Sequence, residues 1–188
     1  MRQVILSFGK LWSIMKTIFN EGKPQSITDV LQNKDHRNAL QNRLMETYPN
    51  DTIITIKLNI PGPIKNNAAL QSLFETGSTK FVPVFQPIKK VALNSDAGPE
   101  LLLVNTMNAE SAKKQAIEFE DQLNYGRLFD IDVLNKQHGH YSRVELGMQT
   151  RKCLICNENA KECARSRKHS VAELQNKISE IYAEEIDD

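Results

Sequence analysis

Thr52-Ile53-Ile54-Thr55-Ile56-Lys57-Leu58-Asn59-Ile60-Pro61-Gly62-Pro63 is the stretch on which the fold turns. Ile54, Ile56, Leu58 and Ile60 alternate with Thr55, Lys57 and Asn59. A period of two means a strand with one apolar and one polar face. Pro61-Gly62-Pro63 stops it. Upstream the period is helical. Leu40, Leu44 and Tyr48 recur at helical spacing, Ser26 and Asp29 stand at capping-box spacing, and Pro49-Asn50-Asp51 ends the run, so a helix is expected over 27–48. Downstream, a short helix is expected over 67–76, and 81–87 is left ambiguous because Pro83 and Pro87 interrupt an apolar pattern. Strands follow at 90–94 and 101–106 around the turn Asp96-Ala97-Gly98-Pro99. Asn108 caps a helix with the stripe Ala109, Ala112, Ala116 and Phe119. A strand is expected over 127–134, then a hairpin turn at Gln137-His138-Gly139-His140 and a return strand over 141–146. The last third reads as helical, with Ser170 and Glu173 as a capping box ahead of Leu174, Ile178 and Ile181. From Thr52 the order is strand, helix, strand, strand, helix, strand, that of a ferredoxin-like split unit. The expected class is α+β: a mainly antiparallel sheet in β-α-β-β-α-β order, plus an extra hairpin strand and C-terminal helices.

The chain has 188 residues, 40% hydrophobic and 25% charged, with a net charge of +1. That is a globular balance without the basic field that nucleic acid binding needs. No apolar run approaches the roughly 20 residues of a membrane span. Three cysteines, all between 153 and 163, do not make a disulfide framework and point to a reducing, cytoplasmic compartment. Residues 1–14 are expected to be a non-native or disordered extension, and 15–188 a single domain. Trp12 is encoded TGG, so an AG-type codon at Ser13 would place GGAG just ahead of the Met15 codon, as a ribosome-binding site would stand.

The most informative stretch is Gly126-Arg127-Leu128-Phe129-Asp130-Ile131-Asp132-Val133-Leu134. Alternation sends Phe129, Ile131 and Val133 into the core and projects Asp130 and Asp132 together from the other face. Two carboxylates roughly 7 Å apart along a strand suit one or two divalent cations, magnesium or manganese, on a phosphate substrate. They would equally serve as a solvated strand face. Arg127 could grip a triphosphate or simply be a strand-end charge. Glu118 or Glu120 could add a carboxylate or be solvated helix acids.

Cys153, Cys156, Cys163 and His169 give C-x2-C-x6-C-x5-H, three thiols and an imidazole for a tetrahedral zinc. A redox pair, or small buried cysteines, would give the same residues. Arg151, Lys152, Lys161, Arg165, Arg167 and Lys168 form the one dense basic cluster, a dock for a nucleotide or acidic carrier, or a solvated helix face. In the Pro61-Gly62-Pro63 loop, Gly62 would let backbone approach a ligand and Lys65 would add a charge at a helix start. A rigid turn is the alternative.

In order and spacing, the Pro61–Lys65 loop, Gly98-Pro99-Glu100, the Gly126–Val133 strand and the run Arg151–Cys156 through Cys163-Ala164-Arg165 to His169 resemble one family. It is the apo-citrate lyase phosphoribosyl-dephospho-CoA transferases, the citrate lyase holo-acyl-carrier-protein synthases, and the likeness covers about 27–181. The resemblance implies a nucleotidyltransferase-type enzyme. Its donor would be 2'-(5-triphosphoribosyl)-3'-dephospho-CoA, its acceptor a serine of the apo acyl carrier (gamma) subunit of citrate lyase, and its by-product pyrophosphate. Asp130 and Asp132 would hold magnesium, and Arg127, Lys65, Gly62, Arg143, Arg151 and Arg165 would contact the donor. The wider nucleotidyltransferases often place a Gly-Ser ahead of their paired acids. Here Gly77-Ser78 stands far from Asp130 in sequence. Two rival readings are a zinc-stabilised, non-catalytic binding module and a related synthase acting on another carrier, such as a malonate decarboxylase subunit.

Overall fold

The computed structural model describes residues 17–186. The expectations for residues 1–14 and for a start at Met15 lie outside them. Five strands, β1 (Thr52–Leu58), β2 (Lys89–Ser95), β3 (Gly98–Asn105), β4 (Phe129–Asn135) and β5 (Gly139–His140), form one sheet in the order β2-β3-β1-β4-β5. Every neighbouring pair is antiparallel. The helices are α1 (Ile27–Thr47), α2 (Ala68–Phe85), α3 (Ala109–Gln122), α4 (Ala160–Ser166) and α5 (Val171–Glu185). The class is α+β, as expected. No described helix is long and apolar enough to cross a membrane.

The sheet is covered on both faces. Ile54, Ile56, Leu103, Phe129, Ile131 and Val133 pack with the helices α2, α3 and α5 in the larger core. Ile53, Leu102, Val104 and Leu134 pack with Leu44 of α1 in a smaller core on the opposite face. The apolar run of β1 reflects this: burial on both faces removes the alternation at Ile53. Gly77 sits inside α2 because nothing larger fits. A Cβ there would lie 2.2 Å from the Phe129 ring, so the glycine sets how closely α2 approaches β4. The Gly-Ser that is remote in sequence thus touches the residue before Asp130, from the core side of the sheet.

Several boundaries differ from expectation for local reasons. The expected short helix over 67–76 extends to Phe85, taking in the ambiguous run. Pro83 falls in its last turn, where little of the ladder is left to lose, and Gln86 closes it in the left-handed conformation. Tyr125–Leu128 form a 3-10 turn, so Arg127 precedes β4 instead of opening it. The return strand over 141–146 is absent: pairing ends at His140, with a last bond from Tyr141 N to Val133 O at 2.9 Å. Ser142 then turns the chain, its N and Oγ donating to Glu145 Oε2 at 2.8 and 2.7 Å. The C-terminal third is helical only in α4 and α5, with loop between 141 and 159 apart from an isolated bridge at Lys152–Asn159.

Candidate functional site

Asp130 and Asp132 stand on one face of β4, as the alternation requires, and both are partly exposed. Cross-strand register brings them a cation. On β1, Lys57 lies opposite Asp130 on one side and opposite Glu100 of β3 on the other, an acid–base–acid row across three strands. Lys57 Nζ donates to Asp130 Oδ2 and, at 3.1 Å, to Asp132 Oδ2. Burial would lower the Lys57 pKa, but the two carboxylates hold it above the usual lysine range. For Asp130, burial would raise the carboxyl. Lys57 and then Arg151 outweigh that and hold it below the usual aspartate range. Glu100 is taken by α1, accepting from Asn33 Nδ2 at 2.7 Å and from Arg37. Gln41 of α1 also covers Thr55, donating to its Oγ1 at 2.8 Å. The polar face is therefore roofed by α1 as far as Thr55 and remains open at Lys57, Asp130 and Asp132.

Beyond β5 the outer edge of β4 is bare of strand, and side chains from α3 and the following loop satisfy it. Glu120 Oε1 accepts from Ile131 N at 3.0 Å and Lys113 Nζ donates to Ile131 O at 2.6 Å. Burial lowers the Lys113 pKa despite the acids around it. Glu120 is in turn held by Arg143 (2.6 Å to Oε2) and Arg151 (3.1 Å to Oε1). Arg151 also donates to Phe129 O and lies 3.9 Å from Asp130 Oδ1. Glu120 is an anchor here, not a third carboxylate beside the aspartates.

The expected phosphate contacts divide. Arg151 stands beside Asp130. Arg143 is spent on Glu120 and on Asp121, at 2.8 Å. Arg127 is spent on the cysteine loop, donating to the carbonyls of Lys152 and Cys153 and to Asn157 Oδ1. Lys65 Nζ turns back to Ile60 O, and burial lowers its pKa. Gly62 has φ +82, and a Cβ there would come within 2.6 Å of Gln175 and 2.9 Å of Val171. The close approach that needs glycine is to α5, with Gln175 Nε2 donating to Pro61 O at 3.1 Å. Arg165 is exposed on α4. Lys57, Lys113 and Arg37 were missed. Lys57 is a visible polar position of β1, but nothing local announces that its register places it between two acids.

The ligand atoms of Cys153, Cys156, Cys163 and His169 all lie within 4.8 Å of one another, a cluster that could bind a metal such as zinc. The cysteines form no disulfide. His169 Nε2 is buried and has no hydrogen-bond partner, an unpaid cost of about 1–3 kcal/mol that a ligand bond to a metal would remove. Burial and then the neighbouring thiols push the Cys163 thiol up to about 12; a bound cation inverts that preference and favours thiolate. Beside the cluster is a cavity of about 440 Å³, reaching from the loop after β1 to α5.

The family model described as "CitX: Apo-citrate lyase phosphoribosyl-dephospho-CoA transferase" matches residues 25–185. A "Probable apo-citrate lyase phosphoribosyl-dephospho-CoA transferase" of Streptococcus pyogenes serotype M18 is 33% identical over 172 residues, covering 88% of this chain and 90% of that protein. The Escherichia coli O1:K1 / APEC apo-citrate lyase phosphoribosyl-dephospho-CoA transferase is 31% identical over 161 residues, 83% of this chain and 87% of that one. "Protein CitXG" of Leuconostoc mesenteroides subsp. cremoris is 36% identical over 168 residues, and the match spans 87% of this chain but 36% of CitXG. With nearly its whole described length matched, the chain belongs to the CitX family, the apo-citrate lyase phosphoribosyl-dephospho-CoA transferases.

Proposed function

We propose that this transferase moves the phosphoribosyl-dephospho-CoA group from its triphosphate donor to a serine hydroxyl of the apo-citrate lyase acyl carrier subunit. The family match supports the reaction. The observation that carries the assignment of the site is the open face of β1 and β4, where Lys57 joins Asp130 and Asp132 and Arg151 flanks them.

The step is an in-line displacement. The serine oxygen forms a bond to the α-phosphorus, the bond from that phosphorus to the bridging oxygen breaks, and pyrophosphate leaves with the electron pair. The serine proton passes to a carboxylate of the pair. Lys57 and Arg151 supply fixed positive charge where phosphate oxygens would collect, and fixed charge in a partly buried site needs no reorganisation. No nucleophile is required of this chain, because the carrier brings its own.

Asp130 and Asp132 fit a magnesium that arrives on the triphosphate: each keeps one oxygen free of Lys57, and the remaining ligands would be phosphate and water. Bound there, the ion would neutralise phosphate charge during displacement. The Cys153/Cys156/Cys163/His169 cluster fits zinc in a structural four-ligand set whose ligands leave no open position for the displacement. We also read the order β1-α2-β2-β3-α3-β4, with β1 and β3 central, as a ferredoxin-like split unit with β5 added at the edge. Its strand order supports this, and it is what makes β1 and β4 neighbours.

Asp130→Asn and Asp132→Asn test the site. Each should lower turnover by about 10²-fold or more with an unchanged circular dichroism spectrum. Near-normal turnover in both would remove the carboxylate pair from the mechanism.

A further inference from the structure

The cavity of about 440 Å³ has two kinds of surface. Its floor is apolar, from Leu128, Leu154, Leu174 and Ile178, and its rim is cationic, from Arg127, Arg151, Lys152 and Arg167. Neither Lys152 nor Arg167 has a carboxylate partner among the described residues. Its size is that of a ligand pocket. Two residues link it to the carboxylate pair: Arg151 lines it and lies 3.9 Å from Asp130, and Asn59 borders both this cavity and a smaller one beside Lys57. A slot with a neutral, apolar floor and a positive rim is complementary to a flexible neutral chain that ends in phosphates. The pantetheine–diphosphate arm of dephospho-CoA has that form.

The wall of this slot is weakly built from the chain alone. Cys153, Cys163 and His169 line it, and Lys152, Leu154, Ala164 and Ser170 each adjoin a member of the cluster. Between 141 and 170 only Cys153 and Cys163 are buried. A segment with so little core cannot offset its own ordering entropy, and α4, seven residues long, is too short to hold itself. In small modules of this kind the metal supplies the folding free energy.

We infer that zinc on Cys153, Cys156, Cys163 and His169 builds the wall of the site that receives the pantetheine–diphosphate arm of the donor. Donor affinity therefore depends on an ion that takes no part in the displacement. This rests on the transfer reaction proposed above only for the identity of the donor.

The test uses S-methyl dephospho-CoA, whose capped sulfur cannot itself take the metal, and isothermal titration calorimetry on the full chain. Metal analysis should give one zinc per chain; less than half an equivalent in protein purified with zinc present overturns the inference. Chelating the zinc should weaken binding at least about tenfold, with restoration on adding zinc back, while far-UV circular dichroism keeps the signal of the sheet and its helices. Leu174→Glu, five residues from the nearest metal ligand, should retain zinc and bind at least about tenfold more weakly, because it sets a charge in the apolar floor where the neutral pantetheine chain would lie. Unchanged affinity in folded zinc-free protein, or in Leu174→Glu, overturns the inference. If chelation unfolds the whole chain, Leu174→Glu decides the cavity, and Cys156→Ser, which removes a cluster ligand that does not line the cavity, decides the zinc: affinity unchanged in that zinc-depleted variant overturns the inference. Zinc-dependent binding by a protein that transfers nothing to the apo carrier would remove the proposed reaction and keep this site. Full transfer by zinc-free protein at unchanged donor KM would do the reverse.

Discussion

Removing the Glu120 carboxylate should cost far more than a helix acid normally does. Its side chain is 4% exposed and serves three partners: Ile131 N at 3.0 Å, Arg143 at 2.6 Å and Arg151 at 3.1 Å. In Glu120→Ala the Ile131 N–H is left without an acceptor on the strand edge, at about 1–3 kcal/mol. Two largely buried guanidiniums also lose a counter-charge, and breaking a buried pair costs about 3–5 kcal/mol. That second loss is partly made good, since Arg143 keeps Asp121 and Arg151 keeps Phe129 O. The expected total is about 3–5 kcal/mol. Glu120→Gln keeps an acceptor for Ile131 and should lose about 1–3 kcal/mol. Equilibrium urea unfolding at pH 7 measures both. A loss below about 1 kcal/mol in Glu120→Ala, the size of an ordinary surface change, would refute the view that this acid fixes the edge of β4.

Gly62→Ala should lose about 1–3 kcal/mol in thermal unfolding, because φ is +82 and the new Cβ meets α5; an unchanged melting temperature would contradict that packing. Lys57→Met should keep the fold and lower kcat/KM by about 10²-fold, since the two aspartates lose their shared cation; steady-state kinetics decides it. Acid should destabilise the protein partly through Asp130. Its carboxyl is more acidic folded than unfolded, so the native state binds fewer protons, and the stabilisation present above about pH 4 is lost as pH falls through the lower, folded value. The urea midpoint of Asp130→Asn should therefore fall less steeply below about pH 4 than that of the wild type; parallel profiles would count against the Lys57 pairing.

What local pattern dictates was legible, and what register and tertiary contact dictate was not. Alternation placed Asp130 and Asp132 on one face of β4, and cysteine spacing brought out a cluster that does converge. Capping boxes located the starts of α1 and α5. Lys57 escaped notice because its meaning depends on which residue of β4 it faces, and a strand's own sequence does not carry that. Arg127 and Arg143 read as free charges because their partners, the carbonyls of the cysteine loop and the acids at the end of α3, are distant along the chain or modest in pattern. The return strand expected over 141–146 was over-read. The Ser142–Glu145 turn competes with it, and that spacing was present in the sequence as a capping signal.

The central claim is most directly tested by mixing this protein with apo acyl carrier subunit of citrate lyase, triphosphoribosyl-dephospho-CoA and magnesium. Carrier mass and released pyrophosphate are then measured together, with the apo carrier of a malonate decarboxylase in parallel. The account predicts a mass gain on the citrate lyase carrier equal to the phosphoribosyl-dephospho-CoA group, one pyrophosphate for each carrier modified, and both signals lost in Asp130→Asn. An unmodified citrate lyase carrier after incubation with folded, zinc-loaded protein would contradict it, as would faster modification of the other carrier.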